Sequence, residues 1–201
     1  MHLKLVFYMR QEYTVYVVFK LLPGELMSDI KKVADLDIEI ERDGFLRSLI
    51  NHLTGVLQDT VGLEDSKGFI SVVGQVMGEE MNAEYKEALS LEKLPKNVLA
   101  QVLVDLKKRI KGEFYIIEET QDKIVLGNKK CPFAEKVIGR PSLCMMTTNV
   151  FGTIAADSIG YAKVSIDEAI ANGDKECRVT VWLNSQSKEA NAAKGREFIG
   201  D

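Results

Sequence analysis

Residues that would advertise a task are scarce in this sequence. Its 201 residues include three cysteines, two histidines, four prolines and one tryptophan. Three cysteines cannot build a disulfide framework, so a reducing, cytoplasmic setting is expected. Two histidines leave no Ser/His/Asp set to assemble, and neither a phosphate loop nor a dinucleotide fingerprint occurs. No apolar run approaches the roughly 20 residues of a membrane span. Leu5 to Met9 is too short for the apolar region of a secretory signal, with Arg10 and Glu12 close behind. A basic excess is missing too: 26 Lys and Arg against 30 Asp and Glu give a net charge of −4. No nucleic-acid contact by this domain is expected from that balance.

What is present fits one principal domain. At 46% hydrophobic residues the chain can enclose a substantial core. Residues 1–35 read as an arm, rich in Val, Tyr, Phe and Leu over 3–22 and broken at Pro23-Gly24. Residues 36–184 read as the domain, opening on a short strand over Leu36–Glu41, where apolar and acidic residues alternate. Three helices follow. The first runs from an Asp43 cap to about Val61, with Phe45, Leu49, Leu53 and Val56 on its stripe. The second runs from about Asp65 to Leu89, with Phe69, Val72, Val76 and Met77 among its apolar positions. The third starts after Pro95 and presents Leu99, Val102, Leu103 and Leu106. Lys107-Lys108-Arg109 in its last turn reads as cations opposing the negative end of the helix dipole.

Beyond Gly112 the period changes to that of strands. Phe114–Ile117 and Ile124–Leu126 flank Gln121-Asp122 as a hairpin. A helix capped by Ser142 is expected to reach Ile159, then a strand from Tyr161, a turn at Asn172-Gly173-Asp174, and a last strand from Cys177 to Leu183. The polar 185–201 reads as a loose helical or unstructured tail. The fold expected is α+β: a four-stranded, mostly antiparallel sheet with helices packed on it, plus the N-terminal arm.

Nothing between Arg140 and Asp157 carries a charge. In a chain that is 28% charged, such a run implies a helix covered on all sides. The cysteines border it. Cys131 falls where the first hairpin ends, Cys144 in the helix's first turn, and Cys177 where the last strand begins. If that strand pairs antiparallel with the one leading to Cys131, the thiols converge at one end of the sheet. The helix N-terminus near Cys144 would favour a thiolate, and three thiolates could hold zinc, or an iron–sulfur cluster with an outside ligand. Two other readings of the thiols stay open: small buried hydrophobes, or a redox switch. His52 sits at the edge of the first helix's apolar stripe and reads as core-flanking. An apolar ligand pocket is expected beside the uncharged helix, walled by Met77, Met145, Phe151 and Ile154, with Gly74 and Gly78 allowing close helix packing.

Several segments resemble the methanogen output domain, a module of prokaryotic signalling proteins. They are Asp105–Tyr115, Cys131-Pro132-Phe133, Arg140–Thr147, Asn149–Gly152, Gly160-Tyr161, and Gly173-Asp174 with Cys177. That domain is in turn similar to the 4-vinyl reductase domain and to the vesicle-tethering TRAPP subunits. The resemblance implies an α+β fold that binds small or lipid-like molecules in an apolar cavity and often dimerises. Metal-binding members of the 4-vinyl reductase group carry a Glu and a Cys eleven and eight residues before the final Cys. Here those positions are Ile166 and Ala169.

The expected function is therefore regulatory: a non-enzymatic sensory or output domain in signal transduction or transcription regulation. It would bind an apolar small molecule or a thiolate-held metal and signal through a homodimer or a partner protein, without a membrane contact. Two alternatives stand beside it, a thiol-dependent enzyme acting on an apolar small molecule and a TRAPP-like structural interaction module.

Overall fold

The computed structural model describes residue 33 and residues 35–200. The expected arm over 1–35 lies, but for Val33 and Asp35, outside the described residues. The chain divides into two units, 1–40 and 41–201. In the first, residues 37–40 carry no regular secondary structure, so the strand expected over Leu36–Glu41 is corrected. Alternation marks only a segment able to be a strand, and it becomes one by pairing.

The second unit opens with α1 (Arg42–Val61), α2 (Leu63–Leu89) and α3 (Lys96–Arg109). The cap of α1 is Glu41, two residues before the expected Asp43. Its carboxylate accepts from the backbone N–H groups of Asp43 and Gly44. The hairpin follows as β1 (Phe114–Glu119) and β2 (Lys123–Asn128). Two 3-10 turns, Ala134–Val137 and Pro141–Leu143, lead into α4 (Cys144–Ile159). Ser142 lies in the second of these turns and does not cap α4; its hydroxyl donates instead to Gln58 Oε1 on α1, at 3.3 Å. Gly160, with φ 84°, closes α4 in the left-handed conformation, donating its N–H to the Ala156 carbonyl.

Strand β3 (Tyr161–Glu168) runs through a turn at Ile170–Asn172 to β4 (Cys177–Trp182). The sheet has five strands rather than four. Within the segment read as a tail, α5 (Lys188–Ala192) precedes β5 (Arg196–Ile199), which pairs antiparallel with β3. Packing against α4 explains the correction: Phe198 lies over Gly152 where any Cβ would clash with its ring. The order is β1-β2-β4-β3-β5, with every neighbouring pair antiparallel. Strand β4 is thus central, and Cys177 stands opposite Asn128 of β2.

Helix α4 lies between the sheet and α2, as its lack of charge requires. Phe151, Ile154 and Ala155 on it are fully buried, with Leu99 and Leu103 of α3 and Ile124, Leu126 and Val181 of the sheet. The buried face of α2 is not its apolar stripe. It is a row of small and polar residues, Ser71, Gly74, Gly78 and Asn82, and it is this row that meets α4. Phe69, Val72, Val73 and Val76 are left exposed, as are Phe45, Leu49, Leu53 and Val56 of α1. No helix among the described residues is long and apolar enough to cross a membrane.

Candidate functional site

A cavity of about 520 Å³ opens between the three N-terminal helices, the start of α4 and one end of the sheet. Helix α1 contributes Leu46, Arg47 and Ile50; α2 contributes Ile70, Val73, Met77 and Met81. Leu106, Lys107 and Ile110 come from α3, and Cys144, Met146, Thr147 and Val150 from α4. Phe114, Asn128, Cys131, Phe133, Ile166 and Cys177 complete the wall from the sheet and its loops. The lining is predominantly apolar. Near it, Asp43 of α1 pairs with Lys111 of the α3–β1 turn at 3.4 Å and with Arg47 at 3.2 Å.

The three cysteines do share this cavity, as expected from the topology. Their surroundings differ from the expectation. Burial is the main cause pushing the Cys144 thiol up to about 12, with Cys177 and Cys131 beside it adding to the shift. Burial raises Cys131 as well. The Cys144 N–H already bonds back to the Pro141 and Ser142 carbonyls, so it is not free to donate to a thiolate. Cys177 Sγ accepts from the Ile170 N–H at 3.4 Å and from Asn128 Nδ2 at 3.8 Å. Among the described residues no group of three or more His, Cys, Asp or Glu is arranged to hold a metal ion.

Of the expected pocket residues, Met77 lines the cavity. Phe151 and Ile154 do not; they are fully buried in the core behind it. Met145 is also off the wall, its carbonyl accepting from Asn149 Nδ2 at 2.7 Å, while its neighbour Met146 takes the lining position. His52 is exposed on α1 and outside the wall.

Lys107, which the sequence places with Lys108 and Arg109 as cations at the end of the helix dipole, is only 4% exposed. Its Nζ donates to Thr147 Oγ1 at 2.9 Å and sits 5.6 and 5.1 Å from the ring centroids of Phe114 and Phe151. Burial holds its pKa down to about 8, partly offset by the three cysteines. The signal was in the sequence: Leu99, Leu103 and Lys107 recur at four-residue spacing, which places Lys107 on the buried face of α3. Asn128, also missed, is buried with its side-chain carbonyl accepting from the Glu113 and Lys130 N–H groups at 3.1 and 3.2 Å.

The sequence profile of methanogen output domain 1 matches residues 49–182, well over half of the chain. The chain belongs to that family. No curated protein matches it. Two solved structures share the fold. One is the phenol-responsive sensory domain of the transcription activator PoxR with phenol. It is 14% identical, with 77% of this chain and 81% of that chain covered at a TM-score of 0.54. The other is a trafficking protein particle complex subunit 3 from Naegleria fowleri, covalently bound to palmitic acid. It is 12% identical, with 71% of this chain and 95% of that chain covered at a TM-score of 0.51. The α+β architecture of the methanogen output domain is thus one that a sensory domain and a tethering-complex subunit also use.

Proposed function

We propose that this methanogen output domain is a regulatory sensory domain that takes a small apolar molecule into the cavity and passes the binding event to a partner surface. The observation that carries the reading is the cavity: about 520 Å³, apolar, and walled by every long helix and one end of the sheet. Sites of that size and lining suit small organic ligands. The two fold relatives hold phenol and palmitic acid, each an apolar body with one oxygen-bearing head, which supports the same class here. Binding rather than catalysis is the reading because Cys131 and Cys144 are held protonated by burial. A protonated thiol is a poor nucleophile, and among the described residues no histidine lines the wall to activate it.

The experiment is thermal unfolding of the purified chain against a panel of phenols and medium-chain fatty acids. A ligand that binds the folded state alone raises the midpoint with concentration. Met77→Trp, which fills the cavity from α2, should remove the response while the chain still folds. No response from any apolar compound would refute the cavity reading.

The route of output is proposed as a homodimer. The exposed Phe69, Val72 and Val76 recur at three- and four-residue spacing on α2, an apolar stripe that monomers seldom leave bare. A second copy of this chain is its proposed occupant, since most soluble homo-oligomers are symmetric dimers. The same stripe favours the second reading, an interaction module that needs no ligand.

A further inference from the structure

Lys107 is a buried cation without an anion. Among the described residues its one side-chain hydrogen bond goes to the neutral hydroxyl of Thr147, and it forms no ion pair with a carboxylate there. An ammonium carries three N–H donors, so two remain. The rings of Phe114 and Phe151 offset part of the desolvation, as cation–π contacts do. They do not neutralise the charge. Buried charges in folded proteins are ordinarily paired. The titratable groups acting on Lys107 are the three cysteine thiols, and the amine lines the cavity itself, whose other charged residues are paired: Asp43 with Arg47 and Lys111, and Arg109 with Asp105.

We infer that the ligand is an amphipathic acid, its carboxylate head paired with Lys107 and Thr147 and its apolar body lying along Met77, Val73 and Ile70. The inference rests on the sensory reading above and adds the chemistry of the head group. Geometry orients the ligand. Lys107 and Thr147, joined at 2.9 Å, give the head its donors, while Leu46 and Ile50 of α1 and Ile70 of α2 supply apolar wall. A carboxylate at Lys107 completes an ion pair in a low-dielectric surround, where such pairing is strong. A chain-matched alcohol satisfies the same donors without the charge. A chain-matched amine places a second cation beside the first. Lys107 remains predominantly an ammonium at neutral pH even with burial holding it down to about 8.

Calorimetric titration with decanoate, 1-decanol and decylamine separates the possibilities. The wild-type chain should bind decanoate at least tenfold more tightly than 1-decanol, with decylamine weakest. Lys107→Met should lose the preference for the acid and bind 1-decanol as well as or better than the wild type does. Thr147→Val should weaken decanoate by a smaller factor. Equal binding of decanoate and 1-decanol by the wild type overturns the inference and leaves the apolar-ligand reading standing, as does a retained acid preference in Lys107→Met. Binding of none of the three by the wild type overturns both. A wild-type series without acid preference overturns the inference by itself, whether or not the variants fold.

Discussion

Gly78 of α2 lies so close to Val150 of α4 that a Cβ placed on it would sit 3.1 Å from the Val150 Cα. Gly74, one turn earlier, stands in the same relation to Met145 and Met146. The two helices meet along their backbones, and this approach leaves Phe69, Val72 and Val76 of α2 facing away from the core. Gly68, on the same helix, faces open space. The positions therefore respond oppositely. Gly78→Leu should cost about 3 kcal/mol or prevent folding, since overpacking against a backbone leaves nothing free to yield. Gly68→Ala should raise stability by roughly 0.5–1 kcal/mol through helix propensity alone. Urea unfolding of both variants checks the contrast, and similar effects of the same sign would contradict the packing described.

The charge of Lys107 should be legible in the pH dependence of stability. Burial holds its pKa at about 8 in the folded chain, against 10.5 for a free side chain. Between those values the unfolded chain binds the extra proton, so the Lys107 contribution to stability rises with pH across that window. Below pH 8 the buried ammonium is a full cost, and Lys107→Met removes it. The stability advantage of the variant over the wild type should therefore be greatest below pH 8 and shrink by roughly 3 kcal/mol by pH 10.5. Cys131 and Cys144, raised by burial from 9.0, act the other way: both proteins lose stability as the unfolded thiols ionise, and the comparison largely cancels that loss. A difference flat across pH would show that Lys107 is neutral or solvated.

Thiol reactivity gives an independent reading of the cavity wall. With its pKa pushed up to about 12, Cys144 should react with iodoacetamide at pH 8 on the order of 10³-fold more slowly in the folded chain than in urea, because the thiolate is the nucleophile. Peptide mapping after timed alkylation measures it. Rapid native labelling of Cys144 would mean that its sulfur is neither buried nor held neutral.

Strand β5 should be part of the cooperative unit. Phe198→Ala removes the ring that lies over Gly152 and is expected to cost about 2 kcal/mol, less than a fully buried phenylalanine because Phe198 is half-buried. Deleting residues 185–201 should cost more, since it also uncovers β3. Unchanged denaturant midpoints would return the segment to the status of a tail.

For the dimer, light scattering at micromolar concentration should report twice 22.5 kDa. Phe69→Glu combined with Val76→Glu should give a folded monomer. A wild-type monomer under those conditions would exclude the α2 face as a self-association surface.

The elements were largely legible in the sequence because hydrophobic period and turn residues are local signals. The 114–128 hairpin, the start of α3 after Pro95 and the end of α4 at Gly160 all follow from residues close in the chain. Facing was less legible. The large apolar side chains of α2 suggested its buried side, yet Gly74 and Gly78 decide it, because the closest approach of two helices wants small residues. Strand β5 was hidden for a related reason. Its polar neighbours gave no alternation, and Phe198 becomes informative only once Gly152 is seen beneath it. At the site, the three cysteines were recognisable from topology, whereas Lys107 was obscured by the two basic residues that follow it, although its spacing from Leu99 and Leu103 marked the buried face.

Helix α1 buries only Thr54 and Gly55 along its length, and Leu46, Arg47 and Ile50 border the cavity instead of solid core. Under the proposed function, much of what a core would supply to this helix comes from the cavity's occupant. An occupied cavity gives α1 a hydrophobic floor; an empty one leaves that stretch of it resting on water. Amide exchange along α1 therefore acts as the domain's own gauge of occupancy, and the least anchored of the long helices is the one placed to move when the ligand leaves.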